Sequence, residues 1–204
     1  MKDQDNVVNF IREVTILYKM KHPSIMKFIG YCPLNFKRSM KPVVVTELIR
    51  NGSLDKLIEQ ERKGLSPPTW NDTKKLINIY GIAHALQYMH SKQILHRDLK
   101  PANILVDDHL YPKLCDFGLS KNYLTEDQDC ERLYQTELLG TPTYIAPEIF
   151  TNYQYSKASD VYSYSLVIYE ILTATSPILG KNEFQIARNI IENKYRPPIP
   201  PFVP

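Results

Sequence analysis

Glycine is scarce in this chain: there are seven in 204 residues, and none falls in a G-x-G-x-x-G arrangement. A glycine-rich loop that cradles phosphates on backbone amides is therefore absent from these residues. Cysteine is scarcer still. Cys32, Cys115 and Cys130 are odd in number and show no CxxC spacing. That argues against both a disulfide framework and a cysteine metal site, and makes a reducing, cytoplasmic compartment the default expectation. No run approaches the roughly 18 apolar residues of a membrane span, and the opening "MKDQDNVVNF" has no apolar core of a secretory signal. A formal charge of +3 gives nucleic acid no electrostatic footing. What remains is an ordinary globular balance, 43% hydrophobic and 23% charged, long enough for one substantial core or two small lobes.

Val7, Phe10, Val14, Leu17 and Tyr18 fall at helical spacing and predict an amphipathic helix that closes near His22-Pro23. "IMKFIGY" (25–31) and "PVVVTEL" (42–48) are rich in β-branched and aromatic residues and predict two strands joined by a polar turn. A short helix follows "RNGSL", and "GLSPP" breaks it. Thr69 with Asp72 reads as a capping box opening a long helix, with Leu76, Ile79, Ala83, Leu86 and Met89 on its apolar stripe. Short strands are expected at 104–106 and 112–115, and aperiodic loop from Leu119 to Thr143. "VYSYSLVIYEIL" (161–172) predicts a buried helix, and 184–191 an amphipathic one before the extended "RPPIPPFVP".

The chemistry is concentrated in "HRDLKPANIL", His96 to Leu105. An ionised Asp98 is a proton acceptor and Asn103, five residues on, a neutral oxygen ligand. On one tight loop they can face a single reacting centre, an arrangement that suits phosphoryl transfer to a hydroxyl. Such transfer requires a further hard oxygen ligand for Mg²⁺. Asp116 of "DFG" lies thirteen residues after Asn103, where two short strands would return the chain. Lys100 is placed to neutralise the transferring group. Plainer readings stand beside these: Asp98 as a helix cap, His96 as a packing residue, Cys115 as a buried inert thiol, and the tyrosines of 153–169 as core.

Taken in order, these segments resemble the protein kinases, whose signature motifs they match over nearly the whole chain. The resemblance implies an α+β kinase-like fold: a partial, β-rich smaller lobe and hinge over 1–49, and a mostly helical larger lobe over 50–204 without its last helices. It implies ATP and Mg²⁺ as cofactors. Asp98, Lys100 and Asn103 become the catalytic set, with Asn103 and Asp116 the metal ligands. Glu13 becomes the acid that pairs with a nucleotide-holding lysine. Thr46 takes the gatekeeper place, Glu47 and Ile49 offer backbone groups to adenine, and Leu105 floors that pocket. Leu17, Phe28, His96 and Phe117 would form an internal apolar spine, and Asp160 would tie down the catalytic-loop backbone. "LKPAN" with "GTPTYIAPE" (140–148) is similar to the Ser/Thr kinases, and "NGSL" and "YRPPIP" to their tyrosine-kinase-like group. Protein substrates bearing Ser or Thr are implied. An upstream kinase acting at Tyr123, Thr125, Tyr134, Thr136 or Thr141 would add charge for Arg97 to pair.

Two family parts are missing from the 204 residues: the glycine-rich loop with its strand lysine, and the later helices with an arginine for Glu148. Glu13 and Glu148 are thus expected to lack partners, Glu148 as a costly buried carboxylate. The 161–172 helix is expected to show an uncovered apolar face. A polypeptide of these residues alone is expected to transfer little phosphate, and a catalytically inactive, protein-binding kinase-like module is the alternative.

Overall fold

The computed structural model describes residues 2–34, 42–122, 132–134, 138–177, 180 and 182–201, with the side chains of 2–9, 12, 122 and 132–134 outside the description. Cys130, Tyr123, Thr125, Thr136 and the Tyr134 side chain therefore lie outside it.

The amphipathic start forms helix α1 (Lys2–Lys19), which buries Ile16 and Leu17. An antiparallel pair follows, β1 (Phe28–Cys32) and β2 (Val43–Thr46), in which Tyr31 faces Val44 and Phe28 faces Thr46. Helix α2 (Leu54–Arg62) buries Leu54, Leu57 and Ile58. Helix α3 (Asp72–Ser91) is the axis of the main core. Two-residue β3 (Ile94–Leu95) leads to a 3₁₀ turn at Pro101–Asn103, then to the antiparallel hairpin β4 (Ile104–Val106) and β5 (Pro112–Leu114). Next come β6 (Lys121–Asn122), which pairs with β3, and β7 (Arg132–Tyr134). A second 3₁₀ turn at Pro142–Tyr144 precedes α4 (Pro147–Asn152). Strand β8 (Gln154–Ser156) pairs with β7 and runs into α5 (Lys157–Thr173), and α6 (Glu183–Ile191) follows. The small antiparallel ladders among helices give the α+β class expected from sequence.

The structure corrects several sequence expectations. Helix α3 is capped by Asn71, whose side chain accepts from Lys74 N at 3.1 Å, so Thr69 lies outside the cap. Its core face runs through Lys75, Asn78, Ile82, Ala85, Leu86 and Met89, while Leu76 is 51% exposed. The stripe is rotated because two polar residues on it are satisfied inside. Lys75 pairs with Glu61, and Asn78 Nδ2 donates to Leu110 O at 2.8 Å. The segment 119–143 contains the short strands β6 and β7, too brief to show a period. Helix α5 starts earlier than the apolar run because Ser156 and Ser159 form a capping box ahead of it.

Packing then sets where the loops fall. Gly81 of α3 lies so close to β5 that a Cβ would sit 2.6 Å from Pro112 Cγ, so this glycine permits the helix–hairpin contact. The bonds Met26 N to Leu114 O (2.8 Å) and Leu114 N to Ser24 O (2.9 Å) fasten the segment after α1 to the end of β5. The outer side of α5 forms a groove of about 350 Å³ between Tyr162, Leu166, Tyr169 and Leu172, with Ile199 and Pro200 across it. The tail thus covers part of the face expected to be bare.

On the other side of α5, Glu170 is buried and accepts from the Tyr144 hydroxyl. Burial pushes its carboxyl up from 4.5 to about 7, against the Tyr144 bond and Arg62, which pull it down. Burial and Glu170 in turn push the Tyr144 hydroxyl well above its usual range. A carboxyl with a raised folded-state pKa contributes fully below its unfolded value and loses that contribution as pH rises. The loss falls between about 4.5 and 7 and levels off above. Unfolding in urea at pH 4.5 and 7.5 should show the native protein losing about 2–3 kcal/mol relative to Glu170→Gln over that window. Equal changes in the two proteins would show that Glu170 is not the group responsible.

Candidate active site

The stretch from His96 to Asn103 is held from below by one carboxylate. Asp160, 2% exposed and in the first turn of α5, accepts from His96 N and Arg97 N, both at 2.9 Å. Its Oδ2 also lies 2.8 Å from His90 Nε2. The turn it holds is unusual, because Arg97 has φ +67°, a left-handed value that a side chain adopts only when its surroundings impose it. His96 is fully buried, its ring 5.6 Å from that of Phe117, and burial lowers its pKa so that it packs as a neutral ring. Arg97 is also buried. Its Nε donates to Leu119 O and its guanidinium lies 5.3 Å from the Tyr155 ring.

Above this base the polar side chains converge. Asn103 Nδ2 donates to Asp98 O at 2.8 Å and to Asp98 Oδ2 at 2.9 Å. Lys100 Nζ is 2.8 Å from Asp98 Oδ2 and 2.6 Å from Thr141 Oγ1, and Thr141 donates to Asp98 Oδ1 at 2.8 Å. With the Asn103 amide hydrogens turned to Asp98, its Oδ1 is the atom that could take a cation. Thr141 reaches this cluster because Gly140, at φ +104°, lets the chain pass where a Cβ would stand 2.9 Å from Arg97 O. From sequence Thr141 is only a modifiable loop hydroxyl; the structure adds both it and His90 to this network. The "GT" before "PTYIAPE" was the available signal.

Asp116 joins the loop through backbone: Cys115 N donates to Asn103 O at 2.9 Å. Asp116 itself is exposed and left-handed, at φ +61°. Glu13, Leu17, Met26, Val44, Thr46, Cys115, Asp116 and Phe117 line one cavity of about 180 Å³. Partial burial, then the charge of Asp116, raises the Glu13 carboxyl above its usual value. Among the described residues no cation pairs with Glu13. Burial pushes the Cys115 thiol up to about 11, so it is inert near neutrality.

The remaining candidates lie outside that cavity lining. Glu47 spends its carboxylate on Lys113 Nζ (3.1 Å) and Lys27 N (2.8 Å), and its amide on Lys27 O. Ile49 is half-buried beside the exposed Leu48. Leu105 pairs with Lys113 and sits on the opposite face of β4 from the buried Ile104 and Val106. Of the expected spine, Leu17 and Phe117 share the main core, Phe28 packs against it, and the His96 ring lies tilted against that of Phe117. Glu148 is half-buried, so its lack of a partner among the described residues costs less than a buried charge would.

Set beside this geometry, a family model described as "Protein kinase domain" matches residues 1–199. The chain belongs to the protein kinase family. "Probable serine/threonine-protein kinase drkC" of Dictyostelium discoideum is 32% identical over 203 residues, covering 98% of this chain and 26% of that protein. "Dual specificity protein kinase shkB" of the same organism is 33% identical over 204 residues, covering 98% of this chain and 30% of that protein. "Probable L-type lectin-domain containing receptor kinase S.5" of Arabidopsis thaliana is 33% identical over 197 residues, 94% of this chain and 29% of that protein. The chain spans less than a third of the length of each. No helix among the described residues is long and apolar enough to cross a membrane.

Removing the Asp160 carboxylate would leave two buried amides unsatisfied beneath a left-handed residue. Asp160→Ala should cost about 3–5 kcal/mol, read as a lowered urea midpoint, with Asp160→Asn losing less because one oxygen remains to accept. A midpoint unchanged in the alanine variant would contradict the clamp.

Proposed function

We propose that the chain carries the phosphoryl-transfer machinery of a protein serine/threonine kinase, with the γ-phosphoryl of ATP passing to Ser or Thr hydroxyls of proteins. The observation that carries this reading is the four-residue network of Asp98, Lys100, Asn103 and Thr141, in which one carboxylate is oriented by three donors. Asp98 accepts the proton of the incoming hydroxyl. Lys100, 2.8 Å away, compensates negative charge beside it. Asn103, through the oxygen its own hydrogen bonds leave free, and Asp116 hold Mg²⁺, which supplies charge neutralisation on the phosphates. Their donor set is all oxygen and suits that hard cation. Thr46 and the backbone of Glu47 and Ile49 meet the adenine, with Leu105 beneath it, and Glu13 awaits a lysine. The residues 1–49 form part of the smaller lobe and hinge, and 50–204 the larger lobe.

The choice of Ser/Thr is supported by "LKPAN" and by the names of the relatives, one of which is a dual-specificity enzyme. Phosphorylation of the activation segment by an upstream kinase, and a cytoplasmic location, belong to the same reading. One observation favours the alternative of a non-catalytic, protein-binding module: Glu13 faces Asp116 with no cation between them among the described residues.

The two readings separate in one assay, transfer of labelled phosphate from Mg-ATP to a generic basic protein. A polypeptide of these 204 residues should be slow. Loss of one preorganised donor alone costs about 10²–10³ in rate, and a lysine and a loop of amides are absent together. Whatever transfer is seen should fall a further 10²-fold or more with Asp98→Asn and vanish with Asp116→Ala. Transfer that survives Asp116→Ala would refute the metal assignment. Robust turnover by the unsubstituted polypeptide would refute the requirement for the absent loop.

A further inference from the structure

Tyr155 is the middle residue of β8 and is fully buried, in a small core with Leu95, Ile145, Ala146 and Ile149. An apolar ring alone would fill that place, so the hydroxyl calls for a partner of its own. It finds both halves of one backbone residue. Tyr155 Oη accepts from Leu139 N at 2.7 Å and donates to Leu139 O at 2.9 Å. A paired strand residue makes the same two bonds in an antiparallel ladder; here a side chain makes them instead. Burial raises the pKa of the phenol, against the pull of Leu139 and Arg97, so near neutrality it keeps the proton it donates.

Leu139 stands two residues before Thr141, which donates to Asp98 Oδ1 at 2.8 Å. Gly140 between them leaves little slack, because a Cβ there would lie 2.9 Å from Arg97 O and 3.7 Å from Asp98 Oδ1. A shift at Leu139 is therefore passed on to Thr141. Asn103 and Lys100 both engage Asp98 Oδ2, and Thr141 is the donor on Oδ1. The Tyr155 ring meets this site from a second side: the Arg97 guanidinium lies 5.3 Å from its centre, and Arg97 directly precedes Asp98. Tyr155 thus touches both chain segments that converge on the Asp98 carboxylate. Its own place is fixed by pairing with Leu133 of β7 and by Ser156, the next residue, which caps α5.

We propose that Tyr155 is a positioning residue for phosphoryl transfer: its hydroxyl sets Leu139, and through Gly140 it sets the Thr141 hydroxyl against Asp98. The proposal rests on the reading of Asp98 as the proton acceptor. Without the Tyr155 hydroxyl, Leu139 loses both bonds, Thr141 is no longer held at Oδ1, and the carboxylate is free to turn about its remaining donors.

The test compares Tyr155→Phe, which keeps the ring, with Thr141→Val and the double variant, all in the 204-residue protein. Two measurements need no turnover. Amide exchange followed by NMR should quicken about tenfold or more at Leu139 in Tyr155→Phe and stay native at Ile82, in the buried face of α3. The Thr141 methyl resonance should move in the same variant. The third measurement is transfer of labelled phosphate from Mg-ATP to a generic basic protein. Tyr155→Phe should lower kcat about tenfold with the KM for ATP unchanged. Made in the Thr141→Val background, the same substitution should lower kcat no further, because both act through one contact. A residue that only supported the fold would lower the urea midpoint and leave the kcat of the folded protein alone. A native exchange rate at Leu139, a native Thr141 resonance, or rate losses that multiply in the double variant would each overturn the proposal. Transfer that is absent, or that Asp98→Asn leaves unchanged, would overturn the reading of Asp98 and the proposal with it. The exchange and resonance measurements distinguish that failure from a Tyr155 that positions nothing.

Discussion

The carboxylate of Asp160 is the contact on which the rest of the His96–Asn103 loop depends. Two consecutive backbone amides, His96 N and Arg97 N, point into a buried region where water cannot satisfy them. The loop can reverse there, with Arg97 left-handed, only because a helix begins directly beneath it with an acid in its first turn. The helix dipole favours that charge, and His90 gives Asp160 a further polar contact. Without this support the strain at Arg97 would have no compensation, and Asp98 would have no defined position.

The same logic extends upward by one layer. Asp98 is oriented by Asn103, Lys100 and Thr141, and Thr141 is delivered by a glycine that passes within contact of the Arg97 carbonyl. Tyr144, three residues further, is anchored to α5 through Glu170 and through Ser163, whose hydroxyl donates to Tyr144 O at 2.7 Å. Helix α5 therefore holds the Asp98 loop with one end and the segment 140–148 with the residues further along it. A single rigid element sets the distance between the group that would take the proton and the surface that would present the hydroxyl.

Much of this was legible in the order of residues. The α+β class was implied by the resemblance, and the helix at the start, the 104–106 and 112–114 hairpin and the buried helix after Asp160 follow from periodicity and β-branching, which act over a few residues. The polar cluster was legible for another reason: Asp98, Lys100 and Asn103 lie within six residues, so local chain geometry already brings them together. Misjudged features depended on partners distant in sequence. Lys75 and Asn78 occupy the core face of α3 only because Glu61 and the Leu110 carbonyl wait there, 14 and 32 residues away. Counting apolar residues assigns that face to Leu76 instead, which is exposed.

The sequence by itself determined which groups this protein brings to its chemistry: an acid, a lysine and an amide on one turn, a second acid after a hairpin, and no glycine-rich loop within 204 residues. Tertiary structure alone decided how those groups are held. Thr141, 43 residues from Asp98, became its hydrogen-bond donor. Asp160, more than 60 residues away, became the floor of the loop. Glu13 came to share a cavity with Asp116 across about half the chain. Hydrogen bonds and charges act over a few ångströms of space, whatever the separation along the chain, and only the packed fold sets those distances.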